Sequence, residues 1–115
     1  MDESFPPERR IRKGSEFAAV LRKGRKRRCP YFTLHILPTA LRDRARLGII
    51  ASRRVGGAVQ RNRAKRLLRE AFRRYRAQLP AGVDLVAVAR NSIARARLED
   101  VERALRNAFG GKANS

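Results

Sequence analysis

The side chains that could catalyse a reaction are few and scattered in this sequence. His35 is the single histidine, Cys29 is the single cysteine, and no segment has the Gly-x-Ser-x-Gly spacing of a nucleophile turn. Hydrolysis by a protein nucleophile needs serine or cysteine beside histidine, and a metal nuclease needs clustered carboxylates or histidines. Glu70 lies among arginines, and the acids at 99–102 open a predicted helix, where they favour its positive end. We therefore predict no active site and no metal site formed by protein side chains alone.

Cationic side chains are the chemistry that this sequence supplies in excess. Lysine and arginine number 29 against 10 acidic residues, a net charge of +19, and 24 of the 29 are arginine. A compact chain with this excess repels itself unless a polyanion neutralises it. Arginine presents a planar fork of donors that suits phosphate and stacks on bases. The composition favours a nucleic-acid partner over an anionic membrane surface.

The segment QRNRAKRLLREAFRRYR, residues 60–76, concentrates this charge on one predicted helix. Its apolar residues recur at the three-and-four spacing of a buried stripe: Ala64, Leu67, Leu68, Ala71, Phe72 and Tyr75. The opposite side carries polar and cationic residues: Asn62, Lys65, Arg66, Arg69, Arg73 and Arg76. One face is predicted to pack on a core and the other to contact a polyanion.

Glu70 is the one acid within this segment. Its spacing predicts ion pairs with Arg66 and Arg74, four residues to either side. One row of like charges has no acid four residues away, so no ion pair is predicted to offset its repulsion: Lys65, Arg69 and Arg73. Stability alone does not favour that row, so we interpret it as a surface for RNA.

Shorter patterns predict the elements that position this helix. GSEFAAVLRKG, residues 14–24, predicts a helix capped by Ser15 and ended by Gly24. LGIIAS, residues 47–52, and VDLVAVA, residues 83–89, are nearly all apolar and predict interior strands. Because the long helix separates them, these two strands are expected to be parallel. Leu98 to Phe109 predicts a last amphipathic helix.

YFTLHILPT, residues 31–39, predicts a strand that ends at Pro38. Alternation assigns one set of side chains to the core: Phe32, Leu34 and Ile36. The other set is assigned to a free face: Tyr31, Thr33, His35 and Leu37. With the basic run RKRR at 25–28, Tyr31 and His35 could stack on unpaired bases, or they are ordinary edge aromatics.

The chain length suits a single domain, predicted at 9–110, with a flexible leader at 1–8 and a flexible tail at 111–115. No segment approaches the ~20 apolar residues of a membrane-spanning helix. The protein is therefore expected to be cytoplasmic.

The stretch ASRRVGGAVQRNRAKRLLREAFRRYR, residues 51–76, resembles the bacterial ribonuclease P protein component, whose hallmark is an Arg-Asn-Arg helix of this kind. RRIRKGSEFAAVLRKGRK, ARLGIIASRRVG and DLVAVAR are similar to other parts of the same family. The resemblance implies an α+β fold of helix, strands, helix, strand and helix around a mixed sheet of about four strands. It also implies a left-handed strand–helix–strand crossover, where the general rule is right-handed.

The resemblance implies that the protein is the accessory subunit of an endoribonuclease whose catalyst is RNA. That RNA, with bound Mg²⁺, cuts precursor tRNA to free its mature 5′ end, while the protein binds the catalytic RNA and the single-stranded 5′ leader. Neither DNA nor a membrane is expected as a partner. A structural ribosome-associated RNA-binding protein is the alternative, and a DNA-coating or membrane-surface protein ranks last because the apolar helix face is needed for the core.

Site residues follow from the matching positions. Those assigned to the catalytic RNA are Arg61, Asn62, Arg63, Lys65, Arg66 and Arg69, with Arg53 where the family usually has lysine and Arg73 added from the cationic side. Those assigned to a leader-binding cleft between the first helix and the sheet are Phe17, Leu21 and His35, with Tyr31 added from the strand alternation. Leu21 stands where the family often has an aromatic residue, and Gly57 where it commonly has a longer polar one.

Overall fold

The computed structural model describes residues 9–39 and 45–109 as three helices and a four-stranded mixed sheet. The helices are α1 Gly14–Lys23, α2 Ala58–Tyr75 and α3 Leu98–Phe109. The strands are β1 Arg25–Arg28, β2 Phe32–Pro38, β3 Arg46–Ile50 and β4 Val83–Ala89, and 3₁₀ turns lie at Arg76–Gln78 and Asn91–Arg95. The predicted α+β architecture is confirmed. The predicted leader at 1–8 and tail at 111–115 lie outside the described residues.

The strand order across the sheet is β1-β2-β4-β3. β2 is antiparallel to both of its neighbours, whereas β3 and β4 are parallel and joined through α2. The parallel pair predicted from the sequence is therefore confirmed, and the left hand of its crossover stays a prediction. β4 is central and buried along nearly its whole length, as its apolar sequence predicts.

Helices α2 and α3 cover one face of the sheet and enclose the main core. The apolar stripe of α2 is confirmed, because Ala64, Leu68, Ala71 and Phe72 are fully buried. Phe72 meets Phe32 of β2 edge to face, with ring centroids 6.2 Å apart. Burying one side of α2 against the sheet leaves its opposite side turned outward.

Helix α1 lies on the other face over a smaller cluster centred on Ile11, Val20 and Val86. Phe17 packs against this cluster and sits so close to β3 that a Cβ atom at Gly48 would lie 2.4 Å from its Cε1. The absence of a side chain at Gly48 is what lets the helix approach the sheet here. This face, predicted to be free, is therefore partly covered.

The interpretation of residues 47–52 as an interior strand is wrong in one respect, because β3 lies at the edge of the sheet. Its outer side is bordered by a parallel bridge from Arg10 to Leu47, and the Ile11 N–H donates to the Leu47 carbonyl at 3.0 Å. Both faces of β3 are covered by packed side chains. The strand is apolar because it is enclosed, although it is not central.

Two local predictions are also wrong. Ser15 does not cap α1: the helix begins at Gly14, Lys13 is its N-cap, and no side chain caps it. Tyr31 lies before β2 instead of within it, and its ring packs against the main core. Alternation holds only inside the strand, so it assigned Tyr31 to the wrong face.

A buried ion pair joins α1, β3 and β4. Nε and Nη2 of Arg46 each donate to a carboxylate oxygen of Asp84 at 3.0 Å, and Nη1 reaches Glu16 at 3.4 Å. Arg46 and Asp84 are 8% and 7% exposed, so the pair is shielded from water. The hydrogen bonds that Arg46 donates to Asp84 raise the pKa of the guanidinium and oppose the effect of burial. This contact fixes the first turn of α1 relative to the sheet.

The Asp84→Asn substitution is expected to lower the free energy of unfolding by about 3 kcal/mol, because it leaves the buried Arg46 charge without its main partner. Urea unfolding followed by circular dichroism measures the change. Glu16→Gln is the matched control and is expected to cost less than about 1 kcal/mol, since its contact is longer and more exposed. Equal losses in the two variants would contradict this account.

Candidate nucleic-acid interface

The outward side of α2, which we call the cationic face, consists of Arg61, Asn62, Lys65, Arg66 and Arg69. Asn62, Arg66 and Arg69 are exposed, and the other two are half-buried. Within the described residues, none of these five side chains forms a hydrogen bond or an ion pair with the rest of the protein. Their donors are therefore directed to whatever approaches from outside.

The chain enters α2 through a turn that requires glycine. Gly56 has a φ of +146°, a conformation that side-chain-bearing residues rarely adopt. Gly57 is the N-cap residue, and its carbonyl accepts the N–H of Arg61 at 2.9 Å. Arg53, exposed at the start of this turn, stands near the beginning of the cationic face.

Of the two partners predicted for Glu70, Arg74 is confirmed, and Arg73 takes the place of Arg66. The Glu70 carboxylate accepts hydrogen bonds from Arg73, with Nε at 3.0 Å, and from Nε of Arg74 at 3.0 Å. Arg74 also donates to Glu102 of α3 at 3.2 Å. These bonds, led by those from Arg73, lower the pKa of Glu70 to about 2. The predicted pair with Arg66 is absent among the described contacts, and the prediction that Arg73 has no relief is wrong.

Arg63, assigned to the catalytic RNA, is directed into the protein. Its guanidinium donates to the carbonyls of Ile93 and Ala94, each at 3.4 Å, and of Ala96 at 2.7 Å. The side chain is half-buried. Arg63 therefore stands apart from the cationic face, although it is adjacent to Asn62 in sequence.

The sheet face under α1 is only partly covered. Three rows of side chains cross it, and α1 lies over the rows that contain Arg46 and Gly48. The third row crosses all four strands: Ile50, Val88, Thr33 and Arg28. At this end lies an open cavity of about 680 Å³, which we call the cationic cavity. Its lining is Lys26, Arg28, Thr33, Ser52, Arg54, Val88, Ala89, Arg90 and Asn91.

None of the four predicted cleft residues lines this cavity, and they fall in different places. Phe17 anchors α1 over Gly48 and Ile11, and Leu21, one turn later, is 38% exposed. His35 lies in the middle row of the sheet between Val86 and Lys26. Tyr31 packs on the opposite side of the sheet with the main core. Phe17, Leu21 and His35 are thus on the α1 side, whereas Tyr31 is not.

His35 is held as a neutral ring. Its Nδ1 is buried without a hydrogen-bond partner in the described structure. Burial lowers the pKa of the imidazole, and the neighbouring Lys26 lowers it further. A neutral ring on this face suits stacking on a base better than pairing with a phosphate.

The two predicted surfaces adjoin at the outer edge of β3. Arg69 of the cationic face and Phe17 of α1 line the same small cavity, of about 170 Å³, together with Arg10 and Gly48. The loop that follows β3 leads from Ser52 and Arg54 of the cationic cavity to the start of α2. A partner on α2 and a partner on the sheet face would therefore lie close to each other.

Sequence reasoning noted the basic run 25–28 without assigning Lys26 or Arg28 to the site, and it missed Arg54. Lys26 and Arg28 pair with His35 and Thr33, which places them on the α1 side of the sheet. Had RKRR been read as a strand, its alternation would have indicated this. Nothing in the local sequence marks Arg54, because its position depends on the fold.

A further cavity of about 600 Å³ lies between α2 and α3, and no residue of the predicted sites lines it. In the described parts of the chain, no three His, Cys, Asp or Glu side chains are grouped so that they could hold a metal ion. Across residues 9–39 and 45–109, no helix has the length and apolar character needed to cross a bilayer.

Comparisons with known proteins agree with this architecture. The sequence profile of the family described as Ribonuclease P matches residues 5–112. The ribonuclease P protein component of Shouchella clausii is 44% identical over 98 residues, which cover 85% of this chain and 80% of that protein. That of Desulfovibrio desulfuricans is 44% identical over 96 residues, covering 83% and 74%.

A solved structure is similar as well. The RNase P protein from Thermotoga maritima superposes with a TM-score of 0.78 at 31% identity, covering 87% of this chain and 94% of that one. These similarities agree with the family expected from residues 51–76, and none of them supports the ribosome-associated alternative.

Folding stability is expected to fall as the pH drops below about 6.5, the ordinary pKa of histidine. The pKa of His35 is lower in the folded chain, so the unfolded chain takes up the proton first. Above that pH both states are neutral and the contribution vanishes. Urea titrations between pH 7.5 and 5.5 measure the effect, and His35→Gln should remove it, since the chain has no other histidine. An identical decline in His35→Gln would contradict the assignment.

Proposed function

The chain belongs to the ribonuclease P protein family, and on that premise we propose that it binds two RNAs at once. The catalytic RNA of ribonuclease P occupies the cationic face of α2. The 5′ leader of precursor tRNA occupies the cationic cavity beside α1. The observation that carries this proposal is the loop after β3, which lines the cationic cavity with Ser52 and Arg54 and leads directly into α2, the helix that bears the cationic face.

The cationic face suits a folded RNA because its groups are fixed and unpaired. The burial of Leu68 and Phe72 on the other side of α2 prevents the helix from turning away. Arg66 and Arg69 lie on adjacent turns with no carboxylate partner in the described residues. Guanidinium groups in this arrangement form charge-assisted hydrogen bonds to phosphate oxygens without first breaking a bond within the protein.

The cationic cavity suits a flexible single strand. Such strands are bound by a basic groove that follows the phosphates, with flat or apolar side chains beneath the bases. Here Lys26, Arg28 and Arg54 supply the charge, and Val88 supplies apolar floor. The hydroxyls of Thr33 and Ser52 and the amide of Asn91 can meet base edges or a 2′-hydroxyl group.

For the cleavage step, we propose that the catalytic RNA supplies the reacting groups and holds the Mg²⁺. The protein then acts by electrostatics and positioning: it neutralises phosphates where two RNAs approach each other, and it fixes the leader beside the cut. As the family relatives are bacterial, we propose that it works in the cytoplasm, where precursor tRNA is made.

Reconstitution tests the proposal. With ribonuclease P RNA and labelled precursor tRNA at low Mg²⁺, the protein is expected to accelerate leader removal over RNA alone. The double variant Arg28→Ala, Arg54→Ala is expected to bind a precursor with a five-nucleotide leader roughly a hundredfold more weakly, since each of the two lost hydrogen bonds to a charged group contributes roughly 1.5 kcal/mol. Binding of a precursor with a one-nucleotide leader should change little.

Arg103→Ala is the matched control for that experiment, because Arg103 is exposed on α3 and paired with Asp100. It removes a positive charge far from the cavity. A protein that gives no acceleration over RNA alone would refute the function, and equal losses in the control would refute the cavity assignment.

Arg66→Ala is expected to flatten the dependence of catalytic-RNA binding on salt. Each phosphate contact contributes about 0.7 to 0.9 to the slope of log K against log salt concentration. Filter binding across a salt series measures it. Arg74→Ala is the control on the same helix, since Arg74 is held by Glu70 and Glu102 and its loss should leave the slope unchanged. An unaltered slope in Arg66→Ala would count against a phosphate contact.

A further inference from the structure

Arg63 donates hydrogen bonds to the backbone of residues 93–96, in a segment that follows β4 and lies outside the strands of the sheet. Its three acceptors, the carbonyls of Ile93, Ala94 and Ala96, belong to the 3₁₀ turn Asn91–Arg95 and the residue after it. The last carbonyls of a helical turn carry partial negative charge and have few partners along the chain. Of these three, the Ile93 carbonyl also accepts the N–H of Ala96 at 3.1 Å. The planar fork of one guanidinium can reach several of them, which the ammonium group of lysine cannot do.

The start of the same segment, residues 90–92, donates hydrogen bonds to the turn of the β1–β2 hairpin. The Ser92 hydroxyl donates to the Pro30 carbonyl at 2.8 Å, and Nη1 of Arg90 donates to the Cys29 carbonyl at 2.6 Å. The backbone N–H of Arg90 donates to the Tyr31 carbonyl at 3.0 Å. Three successive carbonyls of the hairpin turn are thus held by two residues of the segment.

The hairpin turn carries one wall of the cationic cavity. Arg28 directly precedes Cys29, and both Arg28 and Lys26 line the cavity from β1. Arg90 and Asn91 line it from the opposite side. Among the strands of the described sheet, β1 pairs with β2 alone, because it is the last in the order. The position of this wall therefore depends on the turn and on the segment that binds it.

We infer that Arg63 is a positioning residue whose side chain fixes residues 90–96, and through them the β1 wall of the cationic cavity, and that it does not contact the catalytic RNA. This inference rests on the proposed function, because it assumes that the cavity holds the leader. It links the helix that bears the cationic face to the cavity on the other side of the sheet. Arg63 of α2 would then affect how tightly the leader is bound without touching either RNA.

Arg63→Lys distinguishes a positioning role from a phosphate contact, because it keeps the positive charge and loses the planar set of guanidinium donors. The experiment uses protein reconstituted with ribonuclease P RNA and measures how much more tightly a precursor with a five-nucleotide leader binds than one with a one-nucleotide leader. Arg63→Lys is expected to lower this ratio about threefold to tenfold, corresponding to two lost hydrogen bonds of modest strength. Arg74→Lys, exposed on the same helix but outside the cationic face, should leave the ratio unchanged.

Salt dependence supplies the second readout. Arg63→Gln is expected to bind the catalytic RNA with the slope of the natural protein, whereas Arg66→Gln should lower the slope by about 0.7 to 0.9. A lowered slope in Arg63→Gln with an unchanged leader ratio in Arg63→Lys would overturn the inference, because Arg63 would then be a phosphate contact. Two unchanged readouts would overturn it as well.

Ser92→Ala tests the contact between residues 90–96 and the hairpin turn, because it removes only the hydroxyl that donates to the Pro30 carbonyl. It should lower the leader ratio about twofold, and its effect should not add to that of Arg63→Lys, since both act through one chain of contacts. If Arg63→Lys fails to fold, Ser92→Ala decides alone, and an unchanged ratio overturns the inference. If the natural protein itself shows no leader preference, the proposed function fails at its leader step, which is a different result from a preference that Arg63→Lys leaves intact.

Discussion

Repulsion among cations is the constraint that this fold has to satisfy, because a small core must hold together a chain of net charge +19. Two kinds of contact within the described residues relieve part of it. Acids hold some arginines: Arg46, Arg73 and Arg74. Backbone carbonyls hold others: Arg63 and Arg90. Others face outward in the cationic face and the cationic cavity, where stability is lost to repulsion until RNA supplies the opposite charge.

The long elements could be predicted from the sequence because apolar periodicity reflects burial directly. β4 has the predicted limits, and so does α3. The strand at β1 could not be predicted in this way, since RKRR contains no apolar residue and becomes a strand only through pairing with β2. Tyr31 and Ser15 were misassigned because alternation and capping rules hold only once the ends of an element are known.

The cationic face was predictable for a similar reason: helical spacing tells which residues share a side. It does not tell where a long side chain ends. The acceptors of Arg63 lie 30 to 33 residues away in sequence, and the carboxylate of Glu70 selects Arg73 over Arg66 by geometry alone. Arg54 joins Lys26 and Arg28 only because β3 and β1 end on the same side of the sheet. Long-range placement of this kind has no local signature.

The two borders of the sheet are protected in different ways. The Arg10–Leu47 bridge shields β3, whereas in the part of the chain that the structure describes no strand lies outside β1, which carries four exposed cations. Phosphates that neutralise those cations also remove the charge repulsion that keeps β1 from pairing with a strand of another molecule. Solubility then depends on stoichiometry: with too little polyanion to coat each molecule, bare strands can join edge to edge, and an excess disperses them again. Turbidity in mixtures with RNA should therefore pass through a maximum near charge balance. The order and the ratio in which protein and RNA are mixed then determine whether the protein stays in solution.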